Sequence, residues 1–89
     1  MKEKMELKVA NNSNVASVSG SIIKALEDGK RVEIVSIGAG AVNQAVKSIA
    51  TAQGIVATKG MYMSTRLGFT QVEIEGENRT AMKFIILVD

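Results

Sequence analysis

Apolar and charged residues alternate from Met5 to Val9, with Met5, Leu7 and Val9 set against Glu6 and Lys8. A period of two predicts a strand with one buried face. Residues 1–4 ahead of it read as a frayed, charged tail. The polar run Ala10-Asn11-Asn12-Ser13-Asn14 follows, in which Ser13 or Asn14 could accept from the first free N–H groups of a helix. Val15, Val18, Ile22 and Leu26 then recur at spacings of three and four, the stripe of an amphipathic helix, with Ala16, Gly20 and Ile23 widening it. Glycine in mid-helix costs about 1 kcal/mol against alanine, so Gly20 is expected to pack closely on a neighbouring backbone. Asp28-Gly29 ends this helix.

Arg31 to Ile37 reads as a second strand, apolar on both faces and so interior to the sheet. A second helix is expected from about Ala39 to Gln53. Its core stripe would be Val42, Ala45, Val46, Ile49 and Ala52 or Gln53, and Gly54 would be its stop. Met61–Arg66 and Thr70–Glu75 read as two extended pieces with a kink or bulge at Gly68. Residues 75–79 would turn, and Thr80–Val88 would close a long hairpin. The order strand-helix-strand-helix-strand-strand predicts an α/β fold (an α+β two-layer sandwich), with two helices on one face of a four-stranded mixed sheet. At 89 residues this is a single domain, 1–89.

Composition narrows the chemistry. Cysteine and histidine are absent, which removes disulfides, thiol chemistry and the commonest general base and metal ligand. Neither a metal nor a cofactor is expected. Glu73 and Glu75 could pair as carboxylates, but they fall in the alternating pattern of a solvated strand face. No enzyme is expected. A small core without disulfides points to self-association as the added source of stability. The formal charge is only +2, so affinity for nucleic acid must come from local clustering. Aromatic residues are 3% of the chain, too few for base stacking to be the main mode of binding. No run of about 18 apolar residues exists to span a membrane, and MKEKMELK lacks an apolar signal core. The expected location is cytoplasmic.

The stretch Ile34 to Lys47 joins an apolar strand to a helix through Gly38-Ala39-Gly40, and the first turns of that helix carry Asn43, Gln44 and Lys47. A helix start presents unpaired N–H groups and a partial positive charge, and small residues admit an anion such as phosphate. The same small residues could form only a tight turn. The stretch lacks the third glycine and distal acid of a dinucleotide site and the GK[ST] ending of a P-loop.

The runs IGAGAVNQAVKSIATAQG and FTQVEIEGENRTAMKFII resemble the stage V sporulation protein S family, with the likeness extending from about Met5 to Val88. That family is similar in fold to Alba, the small dimeric chromatin protein of archaea. The resemblance implies an Alba-like β-α-β-α-β-β domain forming a homodimer that binds DNA or RNA in a regulatory, sporulation-related role. By the Alba analogy, Asn11, Asn12 and Ser13, the helix start at Gly38, Gly40, Asn43, Gln44 and Lys47, and Arg79 near the hairpin tip would face nucleic acid. The loop before the first helix lacks Alba's lysine pair, and the hairpin tip carries Glu75 and Glu77. Two other readings stay open: a protein-interaction or assembly module without nucleic acid, and a binder of a small phosphorylated ligand.

Overall fold

A computed structural model describes residues 3–88. Its elements are β1 (Lys4–Lys8), α1 (Val15–Glu27), β2 (Arg31–Ser36), α2 (Ala39–Ala57), β3 (Met63–Ile74) and β4 (Glu77–Val88). The sheet runs β1-β2-β4-β3, with β1 parallel to β2 and the other pairs antiparallel. Both helices cover one face. The expected order, mixed sheet and two-layer arrangement are all present.

Alternation decides which side chains meet the helices. Met5 and Leu7 of β1, Val32 and Ile34 of β2, and Phe84 and Ile86 of β4 point to the helix side, where they pack with Ile22, Ala25, Leu26, Ala45 and Ala52. The two helices meet through small residues. Ser19 and Ser48 are both buried at this contact, and the Ser19 hydroxyl donates to the Ser48 carbonyl at 2.9 Å. The Ser48 hydroxyl donates to the Gln44 carbonyl at 2.8 Å. With its polar atoms satisfied, Ser48 can occupy the core at little cost.

Several local expectations are corrected. β1 begins at Lys4, so the charged tail is shorter than expected; Met1 and Lys2 lie outside the described residues. Val9 falls just past the strand, but its N–H still donates to the Val35 carbonyl. α2 runs through Gly54 to Ala57, because Val56 adds a fully buried anchor one turn beyond Ala52. Its stop is Gly60, at φ +78°, where Met61 N–H donates to the Val56 carbonyl and Gly60 N–H to the Ala57 carbonyl. These bonds form a Schellman-type closure. The buried stripe of α2 is Ala41, Ala45, Ser48, Ala52 and Val56, which turns Val46 outward. β3 shows no kink at Gly68, which pairs in register with Lys83. The hairpin turn is only Glu75-Gly76, at φ 51° and 80°, so β4 begins at Glu77. Positive φ at both central residues suits the right-handed twist of a two-residue hairpin.

Gly20 is exposed, and a Cβ built there meets nothing, so no neighbouring backbone explains it. The same space is open at Gly54. Gly20→Ala and Gly54→Ala are each expected to stabilise the chain by about 0.5–1 kcal/mol, through reduced freedom of the unfolded chain. Thermal unfolding of each variant checks this, and a lower melting temperature would contradict it.

Candidate nucleic-acid interface

α2 is preceded by its cap residue Gly38, whose φ of +91° and ψ of 156° favour glycine and turn the chain sharply from β2 into the helix. No side chain caps this end, and no acid stands in its first turn. Over its 19 residues α2 contains no Asp or Glu at all, and Lys47 is its one cation. The partial positive charge of the helix start is therefore not neutralised from within the helix.

The loop before α1 lies against this end. A Cβ at Gly40 would collide with the end of the Asn11 side chain, so glycine leaves room for Asn11 to lie against the helix start. Gln44 Nε2 donates to the Ser13 carbonyl at 2.8 Å, tying the loop to the second turn of α2. Ser13 also closes its own turn, its hydroxyl accepting from Ala10 N–H at 2.8 Å. The α1 cap is Asn14, whose side chain accepts from Ser17 N–H at 2.9 Å. Ser13 and Gln44 thus spend these groups on structure. Asn11, Asn12, Gly38, Gly40, Asn43 and Lys47 remain exposed at this corner, with Asn43 and Lys47 on one helical face.

Arg79 is placed apart from them. β2 pairs with β4 only over Met82–Ile86, so Thr70–Ile74 and Glu77–Ala81 extend beyond the sheet as a two-stranded arm. Arg79 stands opposite Val72, in phase with Ala81 and Lys83, and so on the face away from the helices. Within one protomer, Arg79 and the start of α2 address opposite sides of the sheet. The arm also carries Glu73, Glu75 and Glu77, which oppose a phosphate backbone.

Strand phase collects a charge pattern that the sequence reading missed. Lys4, Lys8, Arg31, Arg66, Arg79 and Lys83 all project from the helix-free face, against Glu6, Glu33 and Glu77. Glu33 is the hub. Lys83 Nζ lies 2.9 Å from one carboxylate oxygen and Arg31 Nε 3.3 Å from the other, with Lys4 Nζ at 3.8 Å. The hydrogen bond from Lys83 holds the Glu33 carboxyl below its ordinary pKa; burial opposes this, and the charges of Lys83, Lys4 and Arg31 reinforce it. The alternation of charges in β1 and β2 was visible in the sequence, but their union depended on β4 entering beside β2.

Among the described residues no group of acidic side chains is arranged to hold a metal ion, and no helix is long and apolar enough to cross a membrane. The fold, the glycine-opened α2 and the long closing hairpin agree with the resemblance drawn from the sequence. The family model for stage V sporulation protein S matches residues 5–89, and the chain belongs to that family.

Proposed function

We propose that this protein is a non-catalytic, cytoplasmic, regulatory homodimer that binds the phosphate backbone of DNA or RNA. The observation that carries the reading is the exposed, acid-free and uncapped start of α2, with Asn11 set against Gly40 and Lys47 a little further along the helix. Backbone N–H groups would donate to phosphate oxygens, Asn11, Asn12 and Asn43 would hydrogen-bond sugar or phosphate, and Lys47 would add charge. Gly38 sets the turn, while Ser13 and Gln44 hold the loop in place.

Self-association is supported by apolar surface beside α2. The Gln53 side chain accepts from Met63 N–H at 2.7 Å, so that flank of α2 lies over the start of β3. Val46 is on the same flank two turns earlier, and β3 carries Leu67 and Phe69 on its helix-side face. These three are 49%, 63% and 78% exposed. A second copy covering the strip would remove it from water and place two α2 starts on one particle. Arg79 would then act through the partner's arm, reaching around from the opposite side.

The same apolar strip and the acidic arm favour a second reading, an assembly module without nucleic acid. Titration of duplex DNA and duplex RNA at two salt concentrations separates the two. Binding that weakens steeply with salt is expected, and Lys47→Ala should reduce the salt slope by about one unit without altering sequence preference. No binding at low salt would overturn the nucleic-acid reading and leave the assembly reading standing.

A further inference from the structure

At the end of the sheet remote from the hairpin tip, a basin of about 300 Å³ opens over β4. Its apolar floor is Ile85 and Leu87, Leu26 and Val88 border it from the helix side at the end of the sheet, and its charged lining is Lys30, Arg31 and Arg66. We propose that Lys30, Arg31 and Arg66 bind a phosphate-bearing anion in this basin, a site separate from the start of α2.

Three different elements fix the three cations. Lys30 closes α1, its N–H donating to the Ala25 carbonyl at 2.8 Å after Gly29 at φ +75°. Arg31 opens β2, its N–H donating to the Glu3 carbonyl at 2.7 Å. Arg66 sits on β3 opposite Ile85. The register puts Arg31 and Arg66 on either side of β4, staggered by two residues along it, and so about 12 Å apart at the backbone, from a strand spacing of roughly 4.8 Å and a rise of roughly 3.4 Å per residue. Two arginine side chains can close over a guest across that span.

The present partners leave capacity for one. Arg66 has no ion pair among the described residues. Lys30 is only loosely engaged, 3.7 Å from a highly exposed Glu3 carboxylate. Arg31 approaches Glu33 through Nε, which leaves the outer edge of its guanidinium for a second acceptor. Arginine forks match phosphate oxygens in pairs, and an apolar floor strengthens such bonds by excluding water. A free anion and a phosphodiester in a chain share this chemistry, and the two arms of the test distinguish them.

The test is amide-resolved NMR titration of the full chain at low salt with pyrophosphate, and separately with a short DNA duplex. Pyrophosphate is expected to move the amides of Lys30, Arg31 and Arg66. Arg66→Gln should weaken it about tenfold with an unchanged melting temperature, and Lys30→Gln should weaken it less. Lys47→Ala should leave it unaffected. If the duplex also moves these amides and loses affinity in Arg66→Gln, the guest is nucleic-acid backbone; if only pyrophosphate does, it is a free anion. The proposal is overturned if neither ligand moves them at millimolar concentration, if the pyrophosphate shifts centre on Ala39 to Ala41, or if Arg66→Gln binds pyrophosphate as the wild type does. Failure here leaves the α2 reading intact, because that reading predicts shifts at the other end of the sheet.

Discussion

Phe69→Asp is expected to fold normally and to stay monomeric at concentrations where the wild-type chain self-associates. Phe69 is 78% exposed on the helix-side face of β3, so its loss removes little from the protomer's own core. In a two-fold interface each substitution occurs twice, because an isologous contact uses the same patch on both copies. Placing a carboxylate without a partner in that contact costs at least about 2 kcal/mol at each site, or about a thousandfold or more in dimer affinity for the pair. Analytical ultracentrifugation over a wide concentration range reads the result, with a melting curve as the control for folding. A monomeric wild-type chain, or a variant that still dimerises, contradicts the proposed interface. Nucleic-acid affinity should fall alongside the dimer, since two linked α2 starts bind with a gain that one lacks.

The second large effect concerns Glu33. Glu33→Gln leaves Lys4, Arg31 and Lys83 crowded on the helix-free face without the carboxylate that gathers them. Removing one member of a fully buried ion pair costs about 3–5 kcal/mol. Here the cover over Glu33 is made partly of the cations' own half-exposed chains, and water stays close to them. A loss of about 1–2 kcal/mol is expected, roughly 5–15 °C in melting temperature for a domain of this size. Its pH dependence follows from the lowered carboxyl pKa of the folded state. Such a group contributes its full stability above its unfolded value and loses it as the pH falls through the folded value. The gap between wild type and Glu33→Gln should thus be widest near neutrality and close in acid. An equal gap across that range would contradict the ion-pair account.

The folding pattern was largely legible because period and position agreed. The stripe of α1 and the alternation of β1 each stated which face was to be covered, and the apolar run of β2 placed it inside the sheet, although its helix-free face carries Arg31 and Glu33 beside Val35. Glycine was harder to read, since one residue type serves opposite purposes. Gly38 and Gly60 adopt positive φ and end or begin helices, Gly40 makes room for Asn11, and Gly20, Gly54 and Gly68 sit in regular structure with open space around them. Conformation, not sequence, distinguishes them. The displacement of Val46 by Ser48 in the core was also hidden, because a buried serine is acceptable only once its partners Ser19 and Gln44 are in place.

The candidate site divided along similar lines. Proximity of Asn11 to Gly40 and of Ser13 to Gln44 joined two segments that the sequence could only name separately. Arg79 did not join them, because strand phase sent it to the other face. Arg66 carried no local signal, and gained significance only when β4 brought β2 and β3 to its two sides.

The central claim is that the start of α2 receives a nucleic-acid backbone. Amide chemical shifts of the wild-type protein, followed as a short duplex is added at low salt, test it most directly. The account predicts the largest changes at Ala39, Gly40 and Ala41, with Asn11, Asn12 and Lys47 moving alongside and all of them returning as salt is raised. Unmoved amides at Ala39 to Ala41 under saturating duplex would contradict it.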